Sequence, residues 1–212
     1  MKSFSQLFIV LCAIFNSIST FSQTSTLYVG HPYGGQLSLV DTTGGTYTVF
    51  DTKALSSDIG DVIGCYGLTR DEITEDIYIL YSSSIEPDEG IRRIGTLDIE
   101  TGNITDIGFV GSLTDIVSVD GTLYGTTGSY YDSYSFVTVD PTDATVTDLF
   151  LHIAAGSGPS IGYDQVNEVM IKCSAGAYTN IDLDLLIETS IYDDFFAEET
   201  QAIVMKNDSI AI

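Results

Sequence analysis

Short runs of alternating apolar and polar residues recur along the chain at a nearly constant spacing. Each repeat contains an apolar pair followed by a loop, an alternating strand that ends in Asp, a turn and another alternating strand. One more strand precedes the later pairs, as in 116–119, which leads into Asp120-Gly121. The pairs are Leu27-Tyr28, Ile77-Tyr78, Leu123-Tyr124 and Val169-Met170, whose second residues are 50, 46 and 46 positions apart. The pattern therefore predicts units of four short strands: A, B (the pair), C (ending in Asp) and D.

The connections between these strands have the composition of tight turns. Asp120-Gly121 favours a type I′ hairpin, which needs positive φ at both central residues. Asp98 to Gly102 has the chemistry of a slightly longer hairpin. The other turns that follow an Asp lie in 39–44, 139–145 and, in degenerate form, 181–189. Units of about 40 to 50 residues with four strands are typical of β-propeller blades.

The sequence thus predicts an all-β protein, a β-propeller of four-stranded antiparallel blades with about four blades present. The predicted blades are approximately 24–63, 64–111, 112–156 and 157–200, with the start of a fifth at 201–212. One segment also fits a helix, because Leu183, Ile187, Ile191 and Phe195 lie four apart. The repeat register favours a strand there, with a short helix near Asp193 to Glu199 as the alternative.

Two segments resemble bacterial secreted propeller repeats of the YVTN and WD40-like kind. They run from Leu27 to Gly44 and from Thr96 to Gly108. The resemblance implies a blade and carries no activity. The chain has no Trp, unlike WD40, kelch and quinoprotein blades, and it lacks the sialidase Asp box.

The two ends of the repeat array predict an incomplete ring. The first unit begins with strand B at Leu27-Tyr28, whereas 202–212 has the pattern of a strand A that runs into a strand B. Residues 202–206 would fit the missing strand A, but 209–212 would then duplicate a strand already present. We therefore expect a piece of a longer product, whose open sheet edges favour self-association.

The first 22 residues have the layout of a secretory signal peptide. Lys2 is followed by an apolar run from Leu7 to Phe15 and then by small and polar residues. The run is shorter than the roughly 20 residues that span a bilayer. We expect cleavage after residue 22, propeller repeats over 23–212, export to the periplasm, cell surface or medium, and no membrane insertion.

Charge narrows the classes of partner. Without residues 1–22 the chain has 30 acidic and 6 basic side chains, a net charge of −24. This excess disfavours nucleic acid, whose binding requires Lys and Arg against phosphates, and it is compatible with calcium or a cationic partner. Cys65 and Cys173 fall in non-adjacent units, so we expect two separate buried thiols.

Few residues have the spacing of a catalytic or metal site. Gly158-Pro-Ser160-Ile-Gly162 matches a nucleophile elbow, but no His follows it, and we interpret it as a chance match. His31 and His152 are too few for a zinc site built on histidine. Glu86, Asp88 and Glu89 form a candidate calcium loop, for which a solvated acidic loop is the favoured alternative. No other cofactor is predicted.

Loop lengths predict which side of the propeller binds ligands. The A–B and C–D turns are short, whereas the B–C and D–A connections are long. We call the side of the propeller that carries the B–C and D–A connections the long-loop face, and the opposite side the short-loop face. Long loops on a rigid scaffold carry function. The candidate ligand-binding residues on the long-loop face are Tyr130, Tyr131, Asp132, Tyr134 and His31, with rings suited to a sugar or a cation.

The sequence does not identify a ligand or a reaction. The leading hypothesis is a non-catalytic extracellular binding protein, with a glycan or another surface protein as ligand. The alternative is an enzyme on a propeller, a lactonase-like hydrolase or a polysaccharide-degrading enzyme, which would need a converging set of acids or histidines.

Overall fold

The computed structural model describes residues 26–41, 48–86, 90–128, 134–153, 159–174, 177–193, 204–206 and 209–211. The strands are β1 (Thr26–Gly30), β2 (Gln36–Asp41), β3 (Thr48–Ala54), β4 (Ser56–Ser57), β5 (Val62–Arg70), β6 (Ile77–Ser83), β7 (Arg92–Asp98), β8 (Asn103–Gly111), β9 (Leu113–Val119), β10 (Thr122–Thr127), β11 (Ser135–Val139), β12 (Val146–Leu151), β13 (Ser160–Asp164), β14 (Val169–Ser174), β15 (Ala177–Asp182), β16 (Ile187–Asp193), β17 (Val204–Lys206) and β18 (Ser209–Ala211). Over this part of the chain there is no helix, and therefore none with the length and apolarity to cross a membrane.

The strands form a four-blade β-propeller, which confirms the predicted fold class. The second, third and fourth blades are antiparallel meanders in chain order, β5–β8, β9–β12 and β13–β16, and the first contributes β1–β3. The innermost strands meet in sequence around the axis, because β5 contacts β1 and β9, and β9 contacts β13. The β17–β18 hairpin forms a separate two-stranded sheet whose first strand lies beside β13.

Apolar cores lie between neighbouring blades. In β6, Tyr78 and Leu80 pack toward the third blade, while Ile79 and Tyr81 pack toward the first. All four are at most 6% exposed, which explains why the strand is apolar at consecutive positions. Between the third and fourth blades, Phe136 and Met170 lie in one core.

The Asp at the end of a strand is the start of a repeated turn. In five turns its carboxylate accepts the N–H of the second residue after it, and in four of them also that of the third. The fourth residue after each Asp has positive φ, between 52° and 80°. These Asp and positive-φ pairs are Asp71 and Glu75, Asp98 and Gly102, Asp140 and Ala144, Asp164 and Glu168, and Asp182 and Leu186. The side chain that recurs in the repeat is thus a turn cap.

The Asp120-Gly121 turn and the segment with helical spacing after Leu183 also follow the repeat. Asp120 and Gly121 both have positive φ, 50° and 78°, as predicted for the A–B turn of the third blade. Residues 187–193 form strand β16, which confirms the strand interpretation, and Leu183 lies in the preceding turn. Residues 194–199 lie outside the described residues.

The connection between the first and second blades differs from the sequence prediction. This D–A connection was expected to be a long loop, but β3 continues to Ala54 and β4 adds to the outer edge of the second blade, parallel to β8. Ser56 Oγ donates to Asn103 Oδ1 at 2.7 Å and Leu55 is buried, so tertiary contacts define this segment. The D–A connection between β8 and β9 is the single residue Ser112.

Cys65 and Cys173 are free thiols, each buried, as expected from the repeat register. Burial, with a smaller effect of the Asp115 carboxyl, raises the pKa of Cys65 to about 12. The Cys65 side chain occupies the space that a Cβ on Gly30 would need. Its role in the structure is therefore to pack β5 against β1.

Candidate binding site on the long-loop face

Three of the eight predicted site residues lie in the described part of the chain. His31 is in the β1–β2 loop, Glu86 in the β6–β7 loop and Tyr134 at the end of the β10–β11 loop. All three loops are B–C connections, and so they belong to the long-loop face. Tyr130, Tyr131, Asp132, Asp88 and Glu89 lie outside the described residues.

His31 is exposed, and its ring is bonded within its own hairpin. Its Nε2 lies 2.8 Å from Ser38 Oγ. Its carbonyl oxygen accepts the N–H of Cys65 at 2.9 Å, which anchors the β1–β2 loop to the innermost strand of the second blade. A Cβ on Gly64 would lie 2.5 Å from the Pro32 carbonyl oxygen, so the close approach of loop and strand requires glycine there. The loop therefore has a fixed position on the face.

Tyr134 is half-buried beside the third blade's outer strands. Its carbonyl oxygen accepts the N–H of His152 at 2.9 Å, and its ring lies against Gly128, where a Cβ would be 2.8 Å from Cδ1. No contact in the described residues joins Tyr134 to His31. The two belong to separate parts of the long-loop face.

Glu86 is held in an ion-pair network. Its Oε1 accepts a hydrogen bond from Arg93 Nη1 at 2.7 Å, while Arg93 donates through Nε and Nη2 to both oxygens of Asp106, at 2.8 and 2.7 Å. Tyr81 also donates to Asp106 Oδ1, at 2.6 Å. Burial opposes the ionisation of Asp106, but the hydrogen bonds from Arg93 and Tyr81 outweigh it and hold its pKa below the usual value. One oxygen of Glu86 is thus engaged with Arg93, and the calcium site remains a prediction.

Sequence reasoning missed Arg92, whose guanidinium is stacked on an aromatic ring. Its carbon Cζ lies 3.5 Å from the centroid of the Tyr66 ring, and its Nη1 donates to Ser82 Oγ and to the Ile91 carbonyl oxygen, at 3.3 and 3.2 Å. A Cβ on Gly64 would lie 2.5 Å from the Pro32 carbonyl oxygen and 2.7 Å from the Tyr66 hydroxyl, so the loop that carries the 96% exposed Tyr33 lies beside the Tyr66 side chain. Burial lowers the pKa of Arg92. The arrangement brings together the B–C loop of the first blade with the innermost strand β5 and the start of β7 of the second blade. We call Tyr33, Tyr66 and Arg92 the Arg92 site.

A carboxylate lies where three innermost strands meet. Asp115, on β9, accepts the N–H of Ile116 at 2.9 Å and that of Ile161 on β13 at 3.0 Å. A Cβ on Gly67 of β5 would lie 2.9 Å from its Oδ1. The residue Asp115 as a whole is partly exposed, but protein atoms surround its carboxyl group. This burial raises the pKa of Asp115 to about 7.

A second buried polar cluster joins the third and fourth blades. Glu188 Oε1 accepts hydrogen bonds from Lys172 Nζ and Thr179 Oγ1, both at 2.6 Å, and its Oε2 lies 3.0 Å from His152 Nδ1. Burial opposes the charge on Glu188, but the hydrogen bonds from His152, Lys172 and Thr179 outweigh it and lower its pKa to about 2. Burial also lowers the pKa of His152 and of Lys172. Their side chains are at most 1% exposed, so the cluster is a structural contact between blades.

On the short-loop face, the A–B turns of three blades surround a pocket of about 210 Å³. Its carboxylates come one from each blade, and its lining residues are Glu72, Ser118, Val119, Asp120, Tyr163, Gln165 and Glu168. Within the described ranges, no group of three or more His, Cys, Asp or Glu side chains is arranged to hold a metal ion.

Comparison with known proteins supports the fold and does not identify a family. No family model matches the sequence, and no curated protein matches it. The resemblance to YVTN and WD40-like repeats therefore remains a prediction beyond the propeller fold itself.

Solved structures are similar in fold at low identity. A chain of a nidogen–laminin complex aligns with a TM-score of 0.59 and 15% identity, over 84% of this chain and 65% of that one. An auxiliary nutrient-binding protein from Bacteroides ovatus aligns with a TM-score of 0.54 and 13% identity, over 82% of this chain and 40% of that one. The hydrazine synthase of Kuenenia stuttgartiensis aligns with a TM-score of 0.50 and 14% identity, over 79% of this chain and 46% of that one. This chain spans less than two thirds of each of the three, and since they include binding proteins and an enzyme, the likeness shows the fold alone.

Proposed function

We propose that this protein is exported and binds a saccharide through the long-loop face of its propeller, without catalysing a reaction. The observation that carries the proposal is the Arg92 site, in which the exposed Tyr33 ring lies on the first blade's B–C loop and the stacked guanidinium lies at the start of β7 in the second blade. An exposed aromatic ring stacks on the apolar face of a sugar, and a guanidinium donates hydrogen bonds to its oxygens. The predicted signal peptide supports an extracellular ligand.

The scaffold supports this function because it holds the site in place before a ligand arrives. The β1–β2 loop is tied to β5 by the hydrogen bond from Cys65 to His31, and Arg92 is fixed over Tyr66. A preformed site loses little conformational entropy on binding. Tyr130, Tyr131, Asp132 and Tyr134, which the sequence predicts on the long-loop face, would form a second part of the proposed surface.

Glycan-array binding by the secreted protein tests the proposal. We expect specific saccharide binding that the Tyr33→Ala variant weakens by about tenfold or more, as expected when one stacking ring is lost. Phe50→Ala is the matched control, because Phe50 is an exposed ring of the same blade that lies on strand β3, and its removal should leave binding unchanged. Binding to a surface protein and to no saccharide, or equal losses in both variants, would contradict the proposal.

The same array, repeated with calcium and with a chelator, tests the predicted calcium loop. If Glu86, Asp88 and Glu89 hold calcium that orders the site, the chelator should weaken binding and added calcium should restore it. Binding that is equal in both conditions would exclude a role for calcium in saccharide binding.

The enzyme alternative is tested by following the bound saccharide over time. The two carboxyls with large pKa shifts in the described residues, Asp115 and Glu188, each accept hydrogen bonds that join blades. No observation therefore favours either as a catalytic group at the Arg92 site. New reducing ends or unsaturated products after incubation would show a hydrolase or a lyase instead.

A further inference from the structure

Arg92 differs from the other basic side chains whose contacts the structure gives. In a chain with 30 acidic residues, those other cations are each within ion-pair distance of a carboxylate. The pairs are Lys53 with Glu100, Arg70 with Glu75, Arg93 with Glu86 and Asp106, and Lys172 with Glu188. Arg92 has no carboxylate partner among the described residues, and its hydrogen-bond acceptors there, Ser82 Oγ and the Ile91 carbonyl oxygen, are neutral.

The contacts of Arg92 hold its position without neutralising its charge. Nη1 makes both hydrogen bonds, and Nε is buried against the Tyr66 ring with no hydrogen-bond partner in the described residues. No hydrogen bond joins Nη2 to a described residue. A guanidinium held in this way has a fixed orientation, which is the property that makes Arg suited to oxyanions.

The charge of the rest of the chain adds weight to a cation that has no carboxylate partner among the described residues. The net charge, −23 for the full sequence, repels anions at long range, so an anionic ligand requires a local cation that no carboxylate neutralises. Tyr33 adds an exposed ring on the loop that lies beside Tyr66. A ring and a guanidinium on one surface fit a sugar that carries an oxyanion.

We propose that Arg92 binds an oxyanion, a carboxylate or a sulfate, on the saccharide that stacks on Tyr33. This inference rests on the proposed function and specifies the class of saccharide. The group nearest the ligand oxyanion would be Nη2 of Arg92. Tyr66 acts as a positioning residue, because its ring supports the guanidinium from the opposite side.

Calorimetric titration with four oligosaccharide probes tests the inference. The probes are a tetragalacturonate, its methyl ester, a neutral tetrasaccharide of hexoses and the sulfated form of that tetrasaccharide. We expect one or both anionic probes to bind at least about tenfold more tightly than their uncharged counterparts, as for a charge-assisted hydrogen bond in a partly buried site. Preference for the tetragalacturonate identifies the carboxylate, and preference for the sulfated probe identifies the sulfate.

Variants separate the role of Arg92 from folding and from general charge. Arg92→Gln should remove the preference for the anionic probe, and Arg92→Lys should restore part of it, since Lys keeps the charge but not the planar fork. Arg70→Gln is the matched control, because Arg70 is an exposed Arg at the short-loop end of β5. Tyr33→Ala, at a residue that is 96% exposed, should weaken charged and uncharged probes alike without affecting folding.

Salt dependence gives a second readout. Raising NaCl from 10 to 150 mM shortens the Debye length from about 30 to about 8 Å, which screens the long-range repulsion more than a direct contact. Binding of the anionic probe should therefore strengthen or stay constant in wild type.

Equal binding of charged and uncharged probes, unchanged in Arg92→Gln, overturns this inference but leaves the proposed function intact. Absence of binding by all four probes, with binding to an acidic peptide, overturns both.

Discussion

The carboxylate of Asp115 accepts a hydrogen bond from the backbone N–H of Ile161 at 3.0 Å, and the two residues lie on the innermost strands of adjacent blades. This contact places a titratable group at the centre of the propeller, where β5, β9 and β13 meet. Burial raises the pKa of Asp115 from the model-peptide value of 3.8 to about 7. The folded state therefore binds one more proton than the unfolded state between these two pH values.

Asp115→Asn should change the pH dependence of stability. Because the folded pKa is raised, the contribution of Asp115 is most favourable below pH 4 and is lost as pH rises toward 7. The shift corresponds to a change of up to about 4 kcal/mol in unfolding free energy, at 1.36 kcal/mol per pH unit. Urea unfolding of wild type and variant from pH 4.5 to 8.5 should show a stability difference that moves in favour of Asn as pH rises. Asp148→Asn, at an exposed site on β12, is the matched control for the loss of one carboxylate.

The blade architecture could be predicted because the repeat is local and periodic. The apolar pair marks strand B in each blade, and the Asp at the end of strand C marks a turn whose geometry needs only a side-chain oxygen and two backbone N–H groups. Leu183, Ile187 and Ile191 have helical spacing, but the repeat register predicted a strand there. The strand prediction is confirmed, since 187–193 is strand β16.

The candidate site could not be predicted in the same way. Arg92 and Tyr66 lie 26 positions apart, on β7 and β5 of the same blade with β6 between them, so their stacking depends on the folded sheet. Strand β4 has two polar residues and no periodicity, and it forms because β8 offers an edge. Glu188 occupies a position that reads as an exposed strand residue, and only the structure shows Lys172 and His152 around it. The sequence held one usable signal, the small number of basic residues. With only seven Lys and Arg residues in the chain, each of them was a candidate for a functional role.

Glu188→Gln should destabilise the protein strongly. The change removes the negative charge opposite Lys172 Nζ, a buried ammonium 2.6 Å away, and leaves it uncompensated. Breaking a buried ion pair from one side costs about 3 to 5 kcal/mol. The control is Glu100→Gln, because the Glu100 side chain is 87% exposed and its pair with Lys53 should contribute less than about 1 kcal/mol. Comparable losses of unfolding free energy in the two variants would contradict a structural role for the cluster.

Tyr81→Phe should lower the unfolding free energy by about 1.5 to 3 kcal/mol, the usual contribution of a hydrogen bond to a charged group. Tyr81 is fully buried, and its hydroxyl donates to Asp106 at 2.6 Å. The remaining partner of Asp106, Arg93, still neutralises the carboxylate, so the protein should fold and the loss be measurable by denaturant titration. Tyr33→Phe, at an exposed ring, should change stability by less than about 0.5 kcal/mol. A negligible effect at Tyr81 would mean that water replaces the lost donor.

Glu75→Gly should stabilise the protein, although it removes a side chain. Glu75 has a φ of 68°, the left-handed conformation that costs an L-residue roughly 1 to 2 kcal/mol. Glycine relieves this cost but adds about 0.4 to 1 kcal/mol of backbone entropy to the unfolded chain, so the net gain should be about 0.5 to 1 kcal/mol. The lost contact is an exposed ion pair with Arg70, which contributes little. The reverse change at the equivalent turn position, Gly102→Ala, should destabilise, because φ is 80° there and a Cβ would lie 2.4 Å from the Ala54 carbonyl oxygen. If thermal unfolding showed both variants moving in the same direction, the two turns would not share the geometry that the repeated Asp specifies.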